Sequence, residues 1–184
     1  MKKLPPIYAV FFAMFTACSQ SYDEPKYELV KSDDPFEIRY YEGHLEASVT
    51  VQSSFEEASS EAFPILFEYI SGKNMNQRKI NMTAPVTQES KGVKMKMTNP
   101  ATQESKGEIY RVAFVMPSKW TFKTLPKPID SRITIQDKPA RKVAVLKYSG
   151  TWSTSNYDKH LVQLQDWIKK ENLTPVSSPV WARY

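Results

Sequence analysis

Apolar and polar residues alternate in two short runs near the start of the folded part of this chain. Phe36, Ile38 and Tyr40 share one side of an extended segment, and Leu45, Ala47, Val49 and Val51 alternate with Glu46, Ser48 and Thr50. A period of two predicts two half-buried strands, joined by a hairpin at Glu42-Gly43. The period then lengthens. Ser54 and Glu57 match a capping box, and Phe55, Ala58, Ala62, Leu66, Tyr69 and Ile70 recur on one face. Together they predict a helix from 54 to about 71, stopped by Gly72. Pro64 falls inside it and, having no amide to donate, is expected to kink the helix or delay its start.

Strands are expected at 79–86, 93–98 and 109–116, whereas 117–130, with Pro117, Pro126 and Pro128, reads as a connection. The pattern then starts again. Ile133 and Ile135 alternate with polar neighbours, and 142–148 is a β-rich run ended by Gly150. Tyr157, Leu161, Leu164 and Ile168 give an amphipathic helix over 155–171, and Val180–Tyr184 a last short strand. Two rounds of strand, strand, helix, strand predict an α+β domain whose helices pack against its sheet.

A chain of 184 residues has room for one domain with a real core. Its first residues read differently. Lys2-Lys3 is a short basic start, Ile7 to Phe15 is apolar but too short to cross a bilayer, and Thr16-Ala17-Cys18 follows. That is a secretory signal over 1–17. A cysteine after the small residues resembles the end of a bacterial lipoprotein signal, which implies lipidation at Cys18. A polar tether over 18–34 and a folded domain over 35–184 complete the expected organisation. The implied location is the cell envelope, lipid-anchored and periplasm-facing. Ser19 is not the aspartate linked to inner-membrane retention, so the outer membrane is favoured.

Cys18 is the only cysteine, which excludes an intramolecular disulfide, a thiolate zinc cluster and a cysteine nucleophile within the fold. Without Lys2 and Lys3 the formal charge falls from +5 to +3, an ordinary value. The basic residues are scattered along the sequence with no helical stripe, so nucleic acid is not an expected partner.

The most informative stretch is a near-repeat. Met82-Thr83-Ala84-Pro85 and Met97-Thr98-Asn99-Pro100 lie fifteen residues apart, each trailed by Thr-Gln-Glu-Ser-Lys-Gly, and Phe114-Val115-Met116-Pro117-Ser118 follows. Phe36 to Glu42, Phe67 to Asn74, Thr124 to Pro128, Ala144 to Gly150 and Trp181 to Tyr184 extend the likeness in the same order. This succession resembles the SOUL heme-binding protein family. The resemblance implies a GyrI-like effector-binding architecture, with a curved antiparallel sheet or distorted β-barrel and two helices. It also implies non-covalent binding of heme or another tetrapyrrole by a monomer.

Heme is a flat apolar disc with two carboxylate arms, so it calls for an apolar slot with cations at the rim. An iron ligand strengthens binding without being obligatory. Phe63, Leu66, Phe67, Met82, Met97, Phe114, Met116 and Trp120 are the candidate wall, although each also fits an ordinary core. Met95 and Met97 share a strand face opposite Lys94 and Lys96. The candidate axial ligands are His44 and Tyr40, the latter at a position where an animal member of the family has a histidine; His160 falls on the solvated side of its helix. Binding with no strong protein ligand is the form the residues favour. No metal cluster, phosphate loop or nucleophile elbow points to an enzyme. Two other readings stay open: a small-molecule hydrolase using a buried carboxylate, with Glu68 as its candidate, and an envelope interaction module.

Overall fold

The computed structural model describes residues 24–91 and 108–184. Strands β1 (Tyr27–Asp33), β2 (Phe36–Tyr41) and β3 (His44–Ser53) lead into helix α1 (Phe55–Ile70). Strands β4 (Val86–Ser90), β5 (Glu108–Val115), β6 (Thr134–Lys138) and β7 (Arg141–Leu146) lead into α2 (Thr154–Lys170), and β8 (Val180–Arg183) follows. All pairings are antiparallel, in a three-stranded sheet ordered β1-β2-β7 and a five-stranded sheet ordered β6-β3-β5-β4-β8. The expected cycles are present as β2-β3-α1-β4 and β6-β7-α2-β8. The sheets stay open, so of the two forms expected the closed barrel is not the one adopted.

Four segments differ from the reading by periodicity. In β2 the side expected to be buried is the more open one: Glu37 and Arg39 are buried and paired with each other, and Tyr40 is exposed. The stretch expected as a tether contains β1, an edge strand whose seven residues are all exposed. It is held by its backbone ladder to β2 and carries no alternating pattern. The strand expected over 79–86 is displaced to Val86–Ser90, because Pro85 has no amide for a ladder and pairing begins after it. Pro64 neither stops nor delays α1, which starts at Phe55 and carries the proline on its exposed side. The strand expected over 93–98 lies outside the described residues.

The start of α1 is fixed by the serine half of the capping box. The Ser54 hydroxyl accepts the Glu57 amide at 3.3 Å and donates to the Glu57 carboxylate at 3.0 Å. Ser54→Ala is expected to cost about 1 kcal/mol, seen as a melting midpoint roughly 2–4 °C lower.

The five-stranded sheet has two chemically distinct faces. Leu45, Ala47 and Val49 of β3 and Val112 and Phe114 of β5 bury against Ala58, Ala62 and Leu66 of α1. The opposite face carries Glu46 and Arg111, both nearly inaccessible, joined at 2.8 Å. Arg111 pairs in register with Thr50 and Glu46 with Val115, while Ser48 faces Ala113 between them. The arginine chain therefore lies lengthwise over Ser48 and Ala113, two residues small enough to leave it room. His44 (3.3 Å) and Lys138 (3.8 Å) also reach Glu46, and Glu89 lies 3.5 Å from Arg111.

In the smaller sheet Phe36 stacks on Trp167 of α2 with centroids 5.1 Å apart, and the indole donates to Asp33 at 2.9 Å. Phe55 packs against Trp152, Tyr157 and Trp181, tying the starts of both helices to β8.

Candidate functional site

The aromatic candidates gather at the C-terminal end of α1. Phe63 and Phe67, one helical turn apart, stack with centroids 5.8 Å apart and planes 13° from parallel. Phe63 also meets Phe114 edge-on at 5.2 Å. Phe67 is 48% exposed, whereas Leu66, Phe114 and Met116 are buried in the core. The platform thus has an open surface ring and a closed floor.

The chain leaving α1 brings polar groups to the same end. Gly72 adopts a φ of +118°, which a side chain would strain. The buried Asn74 amide then donates to the carbonyls of Tyr69 (3.0 Å) and Arg78 (2.8 Å) and accepts the Arg78 amide at 3.2 Å. That turn sets Arg78 over the Trp120 ring at 5.0 Å, with the Lys119 amine at 5.8 Å. Further along, Ile80 bonds back to Ile70, and the Thr83 hydroxyl donates to the Val115 carbonyl. Met82, half-buried against the core, crosses between those two anchor points. Phe63, Phe67, Met82 and Trp120 accordingly share one end of the domain, above Leu66, Phe114 and Met116. Met97 and Cys18 lie outside the described residues. Arg78 was not among the sequence candidates; its signal was the Gly72-Lys73-Asn74 turn.

This end combines aromatic surface with cations. The phenyl rings offer an apolar face, and Arg78 and Lys119 are cations without an ion pair among the described residues. The Trp120 indole N–H is buried without a hydrogen-bond partner there, a donor placed beside those cations.

The two candidate iron ligands stand elsewhere. Both ring nitrogens of His44 face acceptors, the Glu42 carbonyl at 3.1 Å and the Glu46 carboxylate at 3.3 Å. Both nitrogens thus point at groups of the fold. Tyr40 lines an open hollow of about 530 Å³ with Glu24, Pro25, Lys26, Tyr27, Glu28 and Glu42. Three carboxylates against one amine make that rim anionic, which opposes a ligand bearing carboxylates. Among the described residues no group of three or more His, Cys, Asp or Glu is arranged to hold a metal ion.

Acid–base chemistry finds little support in the same geometry. Glu68 is exposed and paired with Lys73 at 2.8 Å. Two carboxylates are buried among the described residues: Glu37, paired with Arg39 and Lys147, and Glu46. Burial pushes Glu46 up, but hydrogen bonds from His44 and Arg111 and the nearby Arg111 and Lys138 charges outweigh that and hold it at about 2. A carboxylate so firmly ionised is a poor proton donor near neutral pH.

Known proteins agree with this architecture. A chain in the EcmrR–DNA complex superposes with a TM-score of 0.55 at 10% identity, over 79% of this chain and 47% of that one. This chain thus spans about half of it. A hydrolase from Listeria innocua gives a TM-score of 0.50 at 11% identity, over 78% of this chain and 80% of that one. At such identities the likeness shows the fold alone. In sequence, human Heme-binding protein 2 is 26% identical over 160 residues, 84% of this chain and 74% of that protein. Its mouse counterpart is 26% identical over 157 residues, 83% and 72% of the two chains. The SOUL heme-binding protein model matches residues 22–184, from just before β1 through β8. With the near-repeat, the open α+β fold and that match in agreement, the chain belongs to the SOUL heme-binding protein family.

Proposed function

We propose that this protein binds heme, or a closely related tetrapyrrole, non-covalently at the end of α1, and that it sequesters or delivers the ligand without catalysing a reaction. The observation that carries this reading is the Phe63–Phe67 stack, open to solvent at Phe67, at the end of α1 that leads into the turn bearing Arg78. Phe67 and Phe63 would cover one face of the disc, Met82 and Trp120 its edge, and Arg78 and Lys119 its carboxylate arms. Bound heme would supply an iron centre open to an exogenous ligand. The protein's part is to exclude water from the covered face and hold the arms.

Hemin titration followed by the Soret band tests this. Saturation at one equivalent is expected. Phe67→Ala should weaken binding by about tenfold, the effect of losing one stacked aromatic face. His44→Ala and Tyr40→Phe should leave the Soret position unchanged, because neither side chain is offered to the iron. A spectrum that stays that of free hemin at every ratio overturns the proposal.

The rest of the reading concerns location. Cys18 would carry the acyl anchor, holding a monomer at the periplasmic side of the cell envelope, in the outer membrane rather than the inner. Labelled palmitate incorporated by the wild type but not by Cys18→Ser supports this part; no incorporation removes it.

A further inference from the structure

Positive charge is concentrated at one end of the domain, on two segments far apart in sequence. The turn after α1 carries Lys73, Arg78 and Lys79, and the connection between β5 and β6 carries Lys119, Lys123, Lys127 and Arg132. Among the described residues at this end the opposing carboxylates are Glu68 and Asp130, paired with Lys73 and Arg132. The formal excess of this end, seven cations over two carboxylates, is +5, as large as that of the whole chain. The fold joins the segments directly. The Met75 amide donates to the Lys127 carbonyl at 3.0 Å, Asn74 bridges Pro128, and the Tyr69 hydroxyl bonds the Pro126 carbonyl at 2.7 Å.

Large apolar side chains stand out among those cations. Met75 is 67% exposed, Phe122 66% and Ile129 62%. Phe122 is held outward by a tight turn: the Thr121 and Thr124 amides each donate to the other residue's hydroxyl, at 3.0 and 3.3 Å. An apolar residue on a turn already fixed by its own hydrogen bonds loses little freedom on docking. Among the described residues no helix is long and apolar enough to cross a membrane.

We propose that this end of the domain docks peripherally on an anionic bilayer, with Phe122, Met75 and Ile129 entering the boundary between headgroups and acyl chains and the lysines meeting lipid phosphates. Charge complementarity selects the partner. Basic side chains mixed with protruding apolar ones match an interface that is anionic outside and apolar just beneath. A soluble polyanion would use the lysines and leave the apolar residues in water. The surface adjoins the proposed heme site and shares Arg78 and Lys119 with it, so the test relies on Lys123, Lys127 and Phe122, which that site does not use.

The test is vesicle sedimentation with the full chain carrying Cys18→Ser, so that no acyl anchor contributes. Neutral phosphatidylcholine vesicles measure whatever the N-terminal segment adds; the second set contains about one-third phosphatidylserine. Preferential partition onto the anionic set, reduced by added salt, is expected. Lys123→Gln with Lys127→Gln should weaken that partition about 25-fold, about fivefold per charge, and Phe122→Ser roughly tenfold. All three residues are exposed, so unchanged melting curves are expected and confirm folded variants. Equal partition onto both vesicle sets, or no change in the double lysine variant, overturns the proposal. So does a binding loss confined to the lysine variant, with Phe122→Ser unaffected and inorganic polyphosphate displacing the protein. That result assigns the surface to soluble polyanions instead.

Discussion

Replacing Arg111 by alanine is expected to lower the unfolding free energy by about 3–5 kcal/mol, the range for breaking a buried ion pair from one side. The loss comes from the carboxylate left behind. Glu46 is 3% exposed, and without the guanidinium its nearest full cation is Lys138 at 3.8 Å. Glu89 would lose its 3.5 Å contact as well. Removing both charges should be far less harmful. Glu46→Leu with Arg111→Met replaces the bridge by apolar chains of similar length, and such replacements are often neutral or stabilising. Urea unfolding of the two single variants and the double variant measures the coupling directly. A loss below about 1 kcal/mol for Arg111→Ala would mean that water already screens the pair.

Acid should remove the contribution of the same cluster over a defined range. Burial raises the Glu46 carboxyl, and the His44 and Arg111 interactions lower it further, to about 2 against an ordinary value of 4.5. The folded state therefore binds this proton less readily than the unfolded chain does. Its stabilisation is complete above the unfolded value and drains away as pH falls from about 4.5 towards 2. A gap of that size corresponds to about 3 kcal/mol. Glu37, held low by Lys147 and Arg39 against its own burial, acts in the same direction. Stability measured against pH should thus fall steeply below about 4.5 in the wild type and less steeply in Glu46→Gln. Identical acid limbs would show that Glu46 is not held ionised by its neighbours.

The parts of this fold legible in the sequence are those whose two sides differ. Strand β3 alternates because one side meets α1, and both helices carry a periodic apolar face for the same reason. Strand β1 has no buried side, so no period announced it. Pro85 marked where pairing could begin only once the neighbouring strand was known. At the site, the resemblance singled out Phe63, Phe67 and Trp120 beside Leu66, Phe114 and Met116. An apolar residue on a helix or strand looks the same in sequence whether it faces the core or stands at its rim. Arg78 escaped notice because its place over Trp120 depends on the turn held by Asn74. The Glu46–Arg111 bridge escaped for a related reason. Alternation marked Glu46 as solvent-facing, and nothing local said that an arginine four positions along the ladder from its register would lie down to meet it.

The segregation of the two faces of β3 and β5 also bears on how the chain finds its fold. These strands are separated by α1 and β4, so their pairing is non-local and forms through trial encounters rather than a tight hairpin. A slip of one residue would turn every side chain over. Arg111 would be driven beneath α1, and Val112 and Phe114 would be turned out to water. Each half of that error is costly alone, and they occur together, so misaligned encounters dissolve before the rest of the sheet can build on them. The ion bridge, whose contribution to net stability can be matched by apolar substitutes, is expected to act on strand alignment instead. Its removal in the apolar double variant should therefore show itself less in the folded state than in slower and more error-prone refolding.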